Sequence, residues 1–319
     1  MITFSQFGKH GNLGNQLHQL ATLIGFCEKY NCEMVLPPWK YARYFAEPVP
    51  EGNVKCDLMV EESAYHYNPD YWHKFALNFK RDTVDILGWL QSEKYWEHCK
   101  QAVIDQLTFR KDFIEETVAK LPAKLFDKEI IAISVRRGDF VRNPNFYLLP
   151  LQYYLYALLE FFPKYKKYNV LFFSDDLKYC KENVWPRSNF YFADNLTNIE
   201  QLCAMHLCNH FIISNSTFSW WGARLGEKPG TKIIRSPYQL SGEMALQLNT
   251  KDYYPERWEI YDHTKKKKKI GGLIRGGFVK KAVILLKGES YFEKKAIKAS
   301  KELFIKVSAF ISNKWVNNQ

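Results

Sequence analysis

The 319-residue chain lacks the patterns that mark metal sites, disulfide scaffolds and membrane spans. Its seven cysteines (Cys27, Cys32, Cys56, Cys99, Cys180, Cys203 and Cys208) are odd in number and contain no C-x-x-C. Neither zinc spacing nor a disulfide framework is supported, and reduced thiols in a cytosol are the expectation. No stretch supplies the roughly 18 uninterrupted apolar residues of a spanning helix. The nearest, 148–162, carries Pro150, Gln152 and Glu160 and reads instead as a partly buried helix after a proline start. The opening residues, MITFSQFGKHGNLGNQ, lack the charged-then-apolar order of a secretory signal. With neither a signal nor a spanning segment in view, a cytoplasmic location is the expectation. Most of the chain also lacks excess charge. The net charge is +11, but residues 264–319 hold 15 Lys/Arg against 3 Asp/Glu, and residues 1–263 hold 30 against 31. The body is therefore nearly neutral, which excludes a nucleic-acid-binding surface there. No internal repeat is evident, and the only low-complexity segment is Lys265 to Lys269.

What the chain does contain is three junctions between a strand and a turn or helix. Residues 130–140 read IIAISVRRGDF. Ile130 to Val135 is a short β-branched run of the kind expected of a buried strand. It ends in Arg136-Arg137-Gly138-Asp139. Open α/β sheets bind ligands at strand carboxyl ends, and the Arg fork matches phosphate oxygens bidentately, so a phosphorylated ligand is one reading. A pair of surface salt bridges is an equal alternative from this segment alone. Residues 210–226, HFIISNSTFSWWGARLG, read as a strand (211–214), a polar loop (215–217) and a helix opening near Ser219. Ser216, Thr217 and Ser219 at a helix N-terminus would hold a diphosphate, or simply cap the helix. Residues 1–7 read as a strand and 10–16 as a Gly-rich turn. A helix follows at 17–30, with Leu17, Leu20, Leu23, Ile24 and Cys27 at helical spacing. Gly8, Gly11 and Gly14 do not fit the dinucleotide fingerprint.

Four segments in one order carry a more specific signal. They are Gly11-Asn12-Leu13-Gly14-Asn15-Gln16, Ser134-Val135-Arg136-Arg137-Gly138-Asp139-Phe140, Phe173-Ser174-Asp175-Asp176, and Ser214-Asn215-Ser216-Thr217-Phe218-Ser219-Trp220-Trp221-Gly222-Ala223. In order and spacing, over residues 1 to about 260, they resemble the α-1,2-fucosyltransferases of glycosyltransferase family 11. Pro150 to Tyr154 and Tyr254 to Trp258 also look like landmarks of that family. Two positions depart from its pattern: Ser134 stands where His is usual, and Phe140 where Tyr is common. The resemblance implies GDP-β-L-fucose as donor, a co-substrate rather than a cofactor. It also implies a β-galactoside glycan acceptor, an α-1,2 linkage formed with inversion, and a setting in bacterial surface glycan synthesis such as O-antigen or capsule. Donor contacts are expected from Asn15, Gln16, Ser134, Asp175, Asp176, Ser216, Thr217, Phe218 and Ser219.

The expected fold class is α/β. Strands at 130–135, 169–174, 190–192, 211–214 and 231–235 alternate with helices at 150–162, 176–182, 198–208 and 219–226, a rhythm that predicts a parallel sheet with helices on both faces. The amino-terminal part reads more coarsely. It has extended segments at 34–37 and 84–89, helices at 93–107 and 112–121, and a hinge at Pro122. Two Rossmann-like lobes facing across a cleft follow, 1–125 on the acceptor side and 126–263 on the donor side. That is the GT-B arrangement, which the resemblance also implies.

Departure of GDP builds negative charge on the β-phosphate, so something positive must meet it in the transition state. Arg136 and Arg137 with the helix start at 216–219 can do this without metal. Asp175 and Asp176 are adjacent, and neighbours on a strand point to opposite faces, which suits them poorly to chelating one ion unless the strand has already ended. Contact with ribose or guanine is the functional reading for them, and capping the helix at 177–182 the plain one. Asp139, the third catalytic candidate, sits beside two cations and suits orienting an Arg better than taking a proton; the base is not identified. Asn15 and Gln16 sit where relatives bring the amino lobe to the fucose, with helix capping as their plain reading. Three other classes stay open. A transferase of different donor or linkage on the same fold is the first. A non-catalytic sugar-binding protein would explain the aromatics but not the phosphate-binding elements. An adhesion ligand through Arg137-Gly138-Asp139 needs an exposed flexible loop that this strand end does not offer.

In the tail, Phe292, Ala296, Ala299, Leu303, Val307 and Phe310 mark an apolar stripe, and Lys294, Lys295, Lys298, Lys301 and Lys306 spread over the remaining face. A basic amphipathic helix of this kind suits an anionic membrane surface, placing the enzyme peripherally on the inner face of the membrane; packing on the body, or a solvated tail, is the alternative.

Overall fold

The structure is a computed structural model that describes residues 1–265. The amphipathic tail expected beyond Lys265 lies outside the described residues. Among the described residues, nine strands form two sheets. Strands β1 (Ile2–Thr3), β2 (Leu58–Glu62) and β3 (Val84–Gly88) make a three-stranded sheet in the order β1-β3-β2. Strands β4 (Ile130–Val135), β5 (Asn169–Ser174), β6 (Phe190–Phe192), β7 (His210–Ile213), β8 (Ile233–Arg235) and β9 (Glu259–Ile260) make a six-stranded sheet in the order β6-β5-β4-β7-β8-β9. Every pairing in both sheets is parallel. The second order is that of a doubly wound sheet, and its direction reverses between β4 and β7, where such sheets open a crevice at the strand carboxyl ends. Ten α-helices among the described residues accompany them: α1 (Leu13–Tyr30), α2 (Pro69–His73), α3 (Asn78–Arg81), α4 (Lys100–Gln106), α5 (Lys111–Ala119), α6 (Leu151–Phe161), α7 (Leu177–Asn183), α8 (Asn198–His206), α9 (Thr217–Gly226) and α10 (Gly242–Gln247).

Both faces of the large sheet are covered, which is why β4 and β5 are apolar runs with every residue buried. Alternation along β4 sends Ile130 and Ala132 into one core and Ile131, Ile133 and Val135 into the other. The first core runs without a break into the three-stranded sheet and α1, so the two sheets share one apolar interior. The second packs under α6 and α7.

The strands and helices read from 130 to 235 are found within one or two residues of the expected bounds. The amino-terminal part differs more. The strand at 1–7 shrinks to Ile2–Thr3 because Phe4 and Phe7 fold into the core across a turn closed by Phe7 N to Phe4 O at 2.8 Å. The segment at 34–37 forms only isolated bridges at Met34 and Leu36. The helix expected at 93–107 breaks. Trp96, fully buried at φ −135°, lies flat against Trp221 with centroids 5.7 Å apart, and regular helix begins only at Lys100. β2, α2, α3, α10 and β9 were not expected, being two to six residues long and lacking a periodic signal.

His18, on α1, has 0% exposure and packs 4.6 Å from Trp220, and neither ring nitrogen has a hydrogen-bond partner. Burial pushes its pKa down to about 3, so the ring is neutral. Unfolding returns it to an ordinary imidazole, so the stability tied to its neutral form is fully present above the unfolded pKa. It is lost as pH falls from there toward about 3, by about 1.4 kcal/mol per pH unit. Urea unfolding at pH 7 and pH 5 should show a larger loss for the wild type than for His18→Phe; equal losses would remove His18 from the acid response.

Candidate active site

The crevice at the strand reversal is where the sequence motifs meet. Arg136 leaves the carboxyl end of β4, and Asn215 and Ser216 leave that of β7. The cavity there, about 280 Å³, is lined by Asn12 to Asn15, Ser134 to Arg136, Asp139, Asp175 and Asn215 to Ser219, among others. Two helices aim their N-termini at it. Neither α1 nor α9 has an acidic residue in its first turn, and the N-cap Asn12 of α1 makes no side-chain cap bond. Their positive ends therefore stay available to an anion. Gly14 is what lets them converge. A Cβ there would collide with the backbone of Thr217 and Phe218, so no larger side chain fits this crossing. Thr217 Oγ1 then donates to Asn15 Oδ1 at 2.9 Å, tying α9 to α1.

Arg136 supplies the full charge. Its guanidinium bridges Asp175, at 2.9 Å, and Asp139, at 2.5 Å, and lies 5.3 Å from the Phe140 ring centroid. Its Nε is buried and unpartnered. Gly138 keeps the turn close to Asp175, since a Cβ there would strike that carboxylate. Below Arg136, the hydroxyls of Ser134, Ser214, Ser216 and Ser219 form a buried cluster. Ser219 Oγ lies 2.7 Å from both Ser134 and Ser214 and 3.0 Å from Ser216. Each hydroxyl has one proton, so the cluster can rotate its donors toward whatever occupies the cavity. Ser216 is also the N-cap, accepting from Ser219 N at 3.2 Å, which realises the capping reading of that loop. Tyr253 closes the floor; burial pushes its pKa up and keeps the unpartnered hydroxyl a donor.

Three expected site residues turn elsewhere. Arg137 stacks on Tyr179, 3.5 Å from the ring centroid, and donates from Nε to Asp176 at 3.1 Å, facing a shallow outer groove rather than the cavity. Asp176 caps α7, accepting from Tyr179 N at 3.0 Å, which realises the plain reading of that residue. Gln16 is 3% exposed and spends its amide on the loop before α1, donating to Gly8 O and Gly11 O and accepting from Trp39 Nε1 at 2.8 Å. Asn15 and Gln16 belong to α1 itself, which begins four residues earlier than the expected helix start. Ser134, Arg136, Asp139, Asp175, Asn15, Ser216, Thr217, Phe218 and Ser219 all line the cavity. Not expected there were Tyr65, Trp89 and Gln91. Trp89 ends a segment read as extended, and the rule that ligands gather at strand carboxyl ends was a signal for it.

Among the described residues, no group of three or more His, Cys, Asp or Glu is placed to hold a metal ion, and no helix is long and apolar enough to cross a membrane. All seven cysteines are free.

Residues 5–261 match the family model described as Glycosyl transferase family 11. The chain is 27% identical over 197 residues to the Escherichia coli alpha-1,2-colitosyltransferase, covering 56% of this chain and 62% of that protein, so it spans under two thirds of that relative. It is 24% identical over 253 residues to the Sus scrofa galactoside alpha-(1,2)-fucosyltransferase 2, covering 75% of this chain and 74% of the relative. Among solved structures it is similar to POFUT1 in complex with GDP, with a TM-score of 0.47 and 14% identity, covering 73% of this chain and 97% of that one.

Proposed function

Because the chain belongs to glycosyl transferase family 11, we propose that it transfers L-fucose from GDP-β-L-fucose to the 2-hydroxyl of a terminal β-galactoside, inverting the anomeric centre to an α-1,2 linkage. The observation that carries this reading is the convergence of the α1 and α9 N-termini with the Arg136 guanidinium on one cavity. That is a preorganised receptor for a diphosphate, the part of the donor that gains charge as it leaves. As the bond from C1 of fucose to the β-phosphate oxygen breaks, the electron pair stays on GDP. The acceptor 2-oxygen forms the new bond on the opposite face and sheds its proton. The two carboxylates lining the cavity, Asp139 and Asp175, are both held by Arg136. This favours a late proton loss that needs only a weak base, and a mechanism without a metal. Residues 1–125 are the acceptor-side lobe in this reading and 126–263 the donor-side lobe, facing each other as in GT-B enzymes. The setting is bacterial surface glycan synthesis in the cytoplasm, with residues 264–319 resting on an anionic membrane. Purified protein given GDP-fucose and lactose should release GDP and yield a product whose linkage NMR shows fucose at galactose O2. An intact donor with lactose, N-acetyllactosamine and galactosyl-N-acetylgalactosamine would overturn the reading.

A further inference from the structure

The wall of the cavity supplied by the three-stranded sheet is built on a backbone outlier. Just past β3, Leu90 has φ +54°, two residues after Gly88 at φ +148°, with Trp89 between them. A non-glycine residue holds the left-handed region only where its surroundings over-determine it, and such residues gather at functional sites. Leu90 is 1% exposed, and its carbonyl accepts from Ser92 N at 3.0 Å. The turn buries Leu90 while its neighbours Trp89 and Gln91 line the cavity. Trp89 is half-buried, with the Tyr65 ring 6.5 Å and the His10 ring 4.3 Å from it, and Tyr65 lines the cavity too. Gln91 Nε2 donates to Asn15 Oδ1 at 3.1 Å, pinning this wall to the first turn of α1.

The cavity lining thus changes character along its length. Arg136 and the α9 N-terminus, with the rings of Phe140, Phe146, Phe173 and Phe218, come from the large-sheet side. The wall past β3, beside the first turn of α1, brings Trp89 and Tyr65 and no cationic side chain, and aromatic faces bind apolar surface and gain nothing from a diphosphate. A β-galactoside presents a continuous C–H surface at C3, C4 and C5 on one side of its ring, because its 4-hydroxyl is axial and points to the other side, while its 2- and 3-hydroxyls are equatorial and project from the edge. Resting on the fucosyl-transfer reading above, we infer that Trp89, flanked by Tyr65, is the acceptor platform. It stacks on the C–H face of the terminal galactose and leaves the 2-hydroxyl free to approach the donor sugar.

The test is a split between substrates. Trp89→Leu fills much of the volume without an aromatic face, and Trp89→Phe keeps a face. The leucine variant should raise the KM for lactose by about tenfold or more, with the phenylalanine variant between it and the wild type. Affinity for GDP, measured by calorimetry, should not change in either. A lactose KM unchanged in Trp89→Leu overturns the inference, as does a parallel loss of GDP affinity, which would place the nucleotide on this wall. A second readout needs no turnover: saturation-transfer NMR of methyl β-galactoside on protein saturated with GDP. Signal in the wild type that disappears in Trp89→Leu supports the platform even if no fucose is transferred, in which case only the fucosyl-transfer reading falls. No signal in the wild type, or equal signal in both, removes the platform.

Discussion

Arg136→Ala is expected to lower kcat by about 100-fold or more, the usual cost of losing a donor aimed at charge that develops in the transition state. Arg136 follows the central strand β4 at the sheet reversal, and its guanidinium is clamped by Asp139 and Asp175 on the cavity wall. Preorganisation of that kind makes a cation effective in a transition state, because nothing need reorganise as the leaving group gains charge. Arg136→Lys should rescue little, since an ammonium cannot satisfy two carboxylates and a phosphate with fixed, planar donors. Arg137→Ala should damage less. Its side chain is spent on Tyr179 and Asp176, so its loss loosens the loop without removing charge from the cavity. Steady-state GDP release at saturating donor separates the two. A near-normal rate in Arg136→Ala would move the leaving-group role to the helix N-termini alone. EDTA should leave the wild type active. Activity lost to EDTA and restored by Mn or Mg would return Asp175 to consideration as a metal ligand.

The contrast between Arg136 and Arg137 marks how far sequence reading reaches. That a cationic pair stands at the end of a buried strand is a local fact, visible in IIAISVRRGDF. Which of the two faces the cavity depends on where the strand stops alternating, and one residue reverses the direction. The strands and helices from 130 to 235 were legible for the same reason: parallel strands buried on both faces are continuous apolar runs, and the helices between them keep their period. The three-stranded sheet was not. β2 carries two carboxylates in five residues, and one of them, Glu62, is buried by hydrogen bonds from Trp72 and Tyr95, so its pattern denies its burial. Gly14 illustrates a third kind of shortfall. Residues 10–16 read as a Gly-rich turn, yet this glycine sits inside α1 and admits another helix, 203 residues away at Thr217. Its function is still at the site, but through the convergence of two dipoles rather than through its own contact.

Glu93→Ala is expected to destabilise the fold by about 3–5 kcal/mol, the range for removing one partner of a buried ion pair. Nothing in the segment around Glu93 announces this, because its partners are 131 and 164 residues away. Glu93 is 6% exposed and lies in the amino-terminal half. It accepts from Arg224 Nε on α9 at 2.8 Å and from Arg257 Nη2 at 2.9 Å. Burial alone would push its carboxyl up, but the Arg257 and Arg224 guanidiniums outweigh it and hold the carboxyl below its ordinary range. Its stabilisation is therefore present above the unfolded carboxylate range and is lost as pH falls through the lowered folded value. Removing the carboxylate leaves Arg224, with its side chain 10% exposed, on a more distant contact to Glu227 at 3.7 Å. Arg257 keeps Glu227, so the penalty falls mainly on Arg224. The same helix carries Thr217 and Ser219 at its other end, which makes the ion pair a brace for the α9 N-terminus as well as a staple between the two sheets. A loss of this size should lower Tm by roughly 6–20 °C, and the urea midpoint with it. Glu93→Gln, which retains shape and one acceptor, should fall between. If Glu93→Ala unfolds within a degree or two of the wild type, the network is a surface-like ornament, and the union of the two sheets rests on their shared apolar core alone.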